Sequence, residues 1–422
     1  MSGSVYDCII LGGGASGLFA ASMLVKLTSG RVKILLIDGN DRCGKKLALT
    51  GSGRCNLSNK NASSDKYSTD CPELLDKCLD SFGVDQTIRF FEDVLGVVTV
   101  CDDGLYYPAT YRASTVIDSF RFYLEESGCE LRFGSKCERL TKNNGLFEVS
   151  LKDGNVFKSR AFICSTGGFT YPATGSDGSA MELLKRLINP SDIVGFSPAL
   201  TSLTSRMQGI KALAGIRCRG RVELTSDGNT VMESSEGEVI FSKEGGISGI
   251  CVMDISGKAV SMLNKGTKPV VAVNLMGYPE DTTAGMLSGR RLLFGDRSLT
   301  GALAGMLPRV LCEFVCRQAE LDPAGPIRDL SDKDISRLAK TVCALNIVID
   351  GYGGTDKAQV SSGGVRLSAM NENMQYKGCQ GMYITGEALN VDGKCGGYNL
   401  QWAWSSAAAA AKGVAESVRV DL

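Results

Sequence analysis

Six consecutive residues, Gly12-Gly13-Gly14-Ala15-Ser16-Gly17, carry the Gly-x-Gly-x-x-Gly spacing that brings bare backbone against a pyrophosphate. An apolar run from Val5 to Leu11 precedes them, and a second, Val32 to Ile37, ends in Asp38. The expected unit is strand, helix, strand. Gly12 allows the tight turn, Gly14 lets the backbone approach the phosphates, and Gly17 lets the helix pack close to the strand. Asp38 lies about 20 positions beyond Gly17, where a carboxylate accepts hydrogen bonds from an adenosine ribose. Ser16 and Gly39, inside and beside these motifs, are counted with the ligand-binding positions.

Further along, Lys45, Lys46 and Arg54 stand around Gly51 and Gly53, with Cys55 and Asn56 closing the loop. Cations among glycines with free N–H groups suit a pyrophosphate or a flat ring lying on the backbone; taken alone, the stretch reads as a solvated basic loop. The run Val156 to Cys164 enters Thr166-Gly167-Gly168, bare backbone at the carboxyl end of a strand, where open α/β sheets bind ligands. Tyr171 to Gly178 follows, before a helix at Ala180 to Leu187. Near the end, Met382 to Thr385 runs into Gly386-Glu387. Gly396-Gly397-Tyr398-Asn399-Leu400 then opens an Ala-rich helix whose N-terminus offers unpaired N–H groups. A plain packing helix is the other reading of that segment.

Stepping outward, 422 residues exceed what one core usually holds, so two or three domains are expected. Lys plus Arg and Asp plus Glu are each 46, which removes any long-range field towards nucleic acid or anionic lipid. Sixteen cysteines without a Cys-x-x-Cys pair read as reduced thiols of a cytoplasmic protein, most of them small core residues. No apolar run reaches the ~20 residues of a membrane span. Histidine is absent altogether, which excludes imidazole-based nucleophile pairs, His-ligated metals and a histidine base. No metal centre is expected, and chemistry falls to a cofactor, thiols, phenols, carboxylates or lysines.

Helical spacing is expected over Leu74–Leu95, Arg112–Glu126, Leu299–Glu320 and Ser331–Ala344. Strands joined by Asn143-Asn144-Gly145 and Asp153-Gly154 cover Cys129–Phe133, Phe147–Leu151 and Val156–Cys164. From about Ile193 the texture changes to short β-type segments between Gly-rich turns. The expected division is a first part of a nucleotide-binding domain at 1–192, a β-barrel-like module at 193–275, and a helical insertion at 276–340. A return strand at 341–357 and the rest of the nucleotide domain at 358–422 complete it.

Together Val5–Gly17, Gly44–Asn59, Thr166–Gly178, Gln359–Gly364 and, above all, Gly386–Gly393 with Cys395–Trp404 resemble the BaiN/YhiN-type bacterial flavoproteins, NAD(P)/FAD-dependent oxidoreductases. The resemblance covers nearly the whole chain. It implies an α/β architecture: a glutathione-reductase-like Rossmann domain binding FAD, with an inserted β-barrel module that itself carries a helical insertion. It implies that Gly12, Gly14 and Gly17 hold the pyrophosphate and Asp38 the ribose, and that Lys45, Lys46, Gly51, Gly53, Arg54 and Asn56 line the cofactor. Cys137 would give adenine a backbone contact, and Glu387 would meet the ribityl chain. Asp38 replaces the commoner Glu, and Phe241–Gly249 lacks the histidine of many members.

The expected function is FAD-dependent reduction or dehydrogenation of a small, largely apolar organic substrate, with a conjugated C=C bond as one candidate. A tRNA-modifying flavoprotein and a flavin-binding sensor without turnover are the alternatives; a monooxygenase stays open. With one full glycine fingerprint, NADH or NADPH would dock only transiently as electron donor. Tyr171 and Cys55 are the candidate catalytic residues, because the proton must come from something other than histidine. The sequence does not fix an oligomeric state.

Overall fold

The structure, a computed structural model, describes residues 5–226 and 230–418. Cys8 to Leu11, all apolar and buried, form the middle of strand Tyr6–Leu11, which is covered on both faces as a parallel strand must be. It pairs with Ile34–Ile37 on one side and with Val156–Cys164 on the other. Glu130–Arg132 extends the sheet past Ile34–Ile37, and Met382–Ile384 joins the C-terminal half of Val156–Cys164, all parallel. The N-terminal half of Val156–Cys164 pairs antiparallel with Leu146–Leu151, which in turn pairs with Cys137–Asn143. One long strand therefore serves both a parallel sheet and a three-stranded meander.

The chain divides into two compact units, residues 1–197 with 359–422, and residues 198–358. In the first, helix Ala15–Thr28 packs against the closing helix Tyr398–Ser417, whose alanines permit close approach. Trp404 lies among Phe19, Phe91 and Phe120, with ring centroids 5.2, 5.3 and 6.0 Å away. Its indole N–H donates to the Leu57 carbonyl at 2.7 Å, and that of Trp402 to the Gly386 carbonyl at 3.1 Å.

The second unit has its own core and a seven-stranded antiparallel sheet. Its order is 345–348, 270–274, 217–225, 231–241, 246–248, 203–204, 351–352, open at both ends among the described residues. The module expected as a barrel is thus observed as an antiparallel sheet. Helices Glu280–Leu293, Leu299–Leu303, Arg309–Gln318 and Asp332–Cys343 fall between strands Val270–Asn274 and Leu345–Val348. Ser331 caps the last of them: its hydroxyl accepts from the Asp334 N–H, and the Asp334 carboxylate accepts from the Ser331 N–H.

Three elements differ from expectation. Leu74–Leu95 is two helices, Pro72–Ser81 and Val84–Asp93, broken at Gly83, whose N–H donates to the Gln86 side chain. Leu299–Glu320 breaks before Arg309, because Pro308 cannot donate into a helix. Ile250–Asn264, in a stretch read as β-rich, is a helix burying Cys251, Val252, Ile255, Ala259 and Met262.

Strand Tyr67–Thr69 pairs with Val391–Gly393, and Asp70 beside it fastens the returning segment. Its carboxylate accepts from the N–H groups of Leu367 and Ser368, the Ser368 hydroxyl at 2.6 Å and the Asn390 amide at 2.9 Å. Partial burial pushes its pKa up, but the hydrogen bonds from Ser368 and Asn390 outweigh this and leave it below its ordinary 3.8. Its contribution is then complete above pH 3.8 and is lost as pH falls through the lower folded-state value. Asp70→Asn should cost about 1 kcal/mol at neutral pH and flatten this acid-side loss, as read by denaturant unfolding against pH.

Candidate functional site

At the carboxyl edge of the parallel sheet, the Gly12 N–H donates to the Ile37 carbonyl and the Ser165 N–H to that of Leu11, both at 2.8 Å. This levels three strand ends beneath the glycine turn. Gly12 has φ +106°, and a methyl there would stand 2.9 Å from the Thr166 nitrogen; one on Gly17 would collide with the Gly12 carbonyl. The fold itself demands both glycines. Around a methyl on Gly14, by contrast, there is open space. Asp38 accepts from the Gly13 N–H at 2.7 Å and from the Asn40 backbone and side chain at 2.7 and 2.9 Å. Three of about four carboxylate acceptor positions are filled, which leaves one for a ribose hydroxyl. Gly39 lies against Lys136, and Asn40 reaches on to the Thr174 carbonyl at 2.9 Å.

The Gly44 N–H donates to the Gly13 carbonyl at 2.8 Å and so fixes the cationic loop to the glycine turn. The two lysines then part. Lys45 pairs with exposed Asp41 at 2.7 Å, whereas Lys46 turns inward to the Glu387 carboxylate at 2.7 Å and the Thr170 hydroxyl at 2.9 Å. The other Glu387 oxygen accepts from the Ser361 N–H at 2.8 Å and from Thr170 at 3.3 Å. Gly168 is needed here, since a methyl on it would stand 2.7 Å from that oxygen. The Phe169 N–H, next in the chain, donates to the Ser361 hydroxyl at 2.9 Å.

Gly51, Ser52, Gly53 and Cys55 all have positive φ, a backbone shape that turns N–H groups towards an anion. Arg54 is exposed, its guanidinium 5.4 Å above the Tyr107 ring, and Asn56 is half-buried. Cys55 is fully buried, and burial pushes its thiol up to about 12 against a smaller lowering by Thr50. Tyr171, half-buried at φ +57°, begins the turn Pro172–Thr174; its hydroxyl makes no hydrogen bond among the described residues. Cys137 opens its strand opposite Leu151, and its thiol is raised by burial to about 11.

Gly386, at φ +64°, lies against Ser16, whose hydroxyl would be 2.8 Å from a methyl there. Gly397 precedes the closing helix at φ +86°, and a side chain on it would meet the Ser58 carbonyl at 2.7 Å. The Asn59 amide donates to the Gly396 carbonyl at 2.9 Å. Asn399 is spent on the Gly393 N–H and carbonyl, both at 2.8 Å, and the Tyr398 carbonyl accepts from the Tyr67 hydroxyl at 2.8 Å. Leu400 is half-buried beside them. The structure thus brings together the glycine turn, Ser16, Asp38, Lys46, Thr166–Gly168 and Gly386–Glu387. It directs Lys45, Arg54 and Asn399 to other partners.

The residues fit a dinucleotide. Gly14 faces space that no protein atom uses, and the buried Ser176 hydroxyl has no partner and lies 3.3 Å from where a methyl on Gly167 would stand. Sequence reasoning missed Ser176, Thr170, Ser361 and Asn40 as site residues. Of these, Thr170, Ser176 and Ser361 lie in segments that carry the family resemblance, whereas Asn40 had no signal beyond following Asp38. Gly17→Ala should destabilise the protein by ~3 kcal/mol, the upper range for overpacking, and lower the thermal midpoint. Gly14→Ala should keep the midpoint of the cofactor-free protein while reducing retained FAD, as read from the flavin-to-protein absorbance ratio. Asp38→Ala should weaken FAD binding by about 1–3 kcal/mol in a fluorescence titration.

Comparison with known proteins places this geometry. The HI0933-like protein Rossmann domain matches residues 6–413. The 3-dehydro-bile acid delta(4,6)-reductase of Clostridium scindens is 30% identical over 416 residues, 96% of this chain and 98% of that protein. The ribosomal RNA dihydrouridine synthase of Escherichia coli K12 is 26% identical over 419 residues, 96% of this chain and 97% of that one. A solved 3-ketosteroid delta1-dehydrogenase from Sterolibacterium denitrificans shares the fold, with TM-score 0.53 at 12% identity over 98% of this chain and 100% of that one. The flavoprotein resemblance read from the motifs is borne out. The chain belongs to the HI0933-like family and is an FAD-dependent oxidoreductase built on a Rossmann domain.

Proposed function

We propose that this oxidoreductase adds hydrogen across a ring C=C bond conjugated to a carbonyl, on a small and largely apolar substrate. The observation that carries the reading is end-to-end similarity to a relative named as a delta(4,6)-reductase of a 3-dehydro bile acid. FAD, when bound, supplies hydride transfer. The chain's own residues hold it: the Gly13–Gly14 backbone and the cationic loop at the pyrophosphate, Asp38 at the ribose, and the start of the closing helix near Gly396 and Gly397 at the flavin edge. In the absence of histidine, the proton that completes the addition comes from the Tyr171 hydroxyl. Cys55, also a candidate from sequence, is too deeply buried to reach a substrate. Lys46 has one N–H left after Thr170 and Glu387, enough to hold a cofactor or substrate oxygen. NADH or NADPH docks transiently to reduce the flavin, and the setting is the cytoplasm.

A second reading is favoured by one observation, the similarity to a ribosomal RNA dihydrouridine synthase, since forming dihydrouridine also saturates a C=C bond beside a carbonyl. The balanced charge, 46 against 46, supplies no general attraction to RNA.

The deciding experiment reduces the FAD-loaded protein anaerobically with NADPH and then offers a 3-oxo-Δ4 steroid, a uridine-containing ribosomal RNA fragment, or O2. Reoxidation by the steroid is expected, with Tyr171→Phe slowing that step about 100-fold or more and sparing flavin reduction by NADPH. Reoxidation by RNA alone selects the second reading, and O2 consumption that inserts an oxygen atom into the added steroid selects a monooxygenase. Reoxidation by none of them leaves a sensor.

A further inference from the structure

Helix Glu280–Leu293 buries Thr283 and Leu287 and packs against Asp332–Cys343. Its other face holds Thr282, Gly285, Met286, Gly289, Leu292 and Leu293, aligned by the 3.6-residue repeat. A surface helix normally places charged residues there. Instead, Leu292 and Leu293 are 84% and 77% exposed, with Met286 at 37% and Tyr278, just before the helix, at 45%. Gly285 and Gly289 lie four apart, and methyl groups on either would meet nothing. The face is a strip of small residues flanked by large exposed apolar side chains.

Charge along the same helix indicates its occupant. Glu280 and Asp281 lie at its start and form no ion pair among the described residues. At its end, Arg291 is matched by Asp332 and Asp296 by Arg328. Arg290, on the Ala302 and Ala304 carbonyls, and Arg297, 4.3 Å above the Phe294 ring, are left as uncompensated cations. A helix acidic at one end and basic at the other complements its own copy laid antiparallel.

We propose that this face is the two-fold interface of a homodimer. Gly285 and Gly289 of one copy receive Met286 of the other, each Leu292–Leu293 pair covers the other copy near Thr282, and the acidic start of each helix lies towards the basic end of the other. A 14-residue helix is about 21 Å long, so this contact buries less than the ~800 Å² per partner of a standard interface, and association is weak.

Sedimentation velocity of the FAD-loaded full chain, from about 1 to about 100 µM, should show the mass rising from one chain to two, in the range of weak complexes. Gly289→Leu and Leu293→Asp should each weaken dimerisation at least about tenfold while sparing the flavin spectrum and the thermal midpoint. Asp281→Arg and Arg297→Asp should each weaken it, and the two together should restore it, since two-fold symmetry sets the acidic start of each helix against the basic end of the other. A single-chain mass throughout overturns the proposal, as does a dimer indifferent to all four substitutions. So does a protein that stays single in solution but sediments with phosphatidylglycerol vesicles, because the face would then be a lipid contact.

Discussion

The first unit depends on how its last helix docks. The chain leaves this unit after residue 197 and returns at 359, so nothing covalent nearby brings the two parts together. The docking rests on two buried tryptophans spaced by one residue. Trp404 sits among phenylalanines from three helices, and its N–H reaches Leu57; Trp402 reaches Gly386. Aromatic burial supplies the energy, and the two N–H groups set the position, because an indole nitrogen left unpaired in that core would cost about 1–3 kcal/mol. Both accepting carbonyls belong to site loops: Leu57 follows Cys55-Asn56, and Gly386 precedes Glu387. The same contacts that close the core therefore place two parts of the candidate site.

Lys46 and Glu387 show what this placement achieves. They are 341 positions apart, yet their side chains meet at 2.7 Å with only about a fifth of each exposed. A half-buried pair gains little from charge attraction alone and becomes worthwhile when its remaining donors and acceptors are filled. Here Thr170 bridges the two side chains and the Ser361 N–H occupies the far oxygen. Three separate segments thus converge on the Glu387 carboxylate: the cationic loop, the turn that follows Val156–Cys164, and the start of strand Val360–Val365. A site assembled in this way is held by the sheet, with little freedom in any one loop.

The glycine turn was legible because its constraints are local: Gly12 and Gly17 meet each other across one turn, and Asp38 is one helix and one strand away. The β-strands of the parallel sheet were legible from their apolar runs for the same reason. The division of labour between Lys45 and Lys46 was not. Adjacent lysines present the same chemistry to a reader, and only a distant glutamate decides which one turns inward. The role of Ser361 was equally silent, since it comes from a backbone N–H and a hydroxyl that any serine has. The breaks at Gly83 and Pro308 had signals in the residues themselves, but the apolar spacing on either side ran through them. Ile250–Asn264 is rich in β-branched residues, and its helical periodicity emerges only once the sheet it covers is known.

The absence of histidine shapes the proton chemistry more than any residue present. Of the protic side chains around the glycine turn, three are thiols: Cys43, Cys55 and Cys164. Burial raises all three, Cys55 to about 12. A thiol that keeps its proton is a poor nucleophile and a poor redox partner. These cysteines are buried core residues whose thiols stay protonated at neutral pH. What remains is the Lys46 ammonium, the hydroxyls of Thr170 and Ser361, the unpartnered hydroxyl of Ser176, and the phenol of Tyr171. The first three are bound to one another or to Glu387. Ser176 is buried against the Gly167 backbone. Tyr171 combines partial exposure with a hydroxyl that makes no hydrogen bond among the described residues, and this supports the proposal that a phenol held on a left-handed residue supplies the proton.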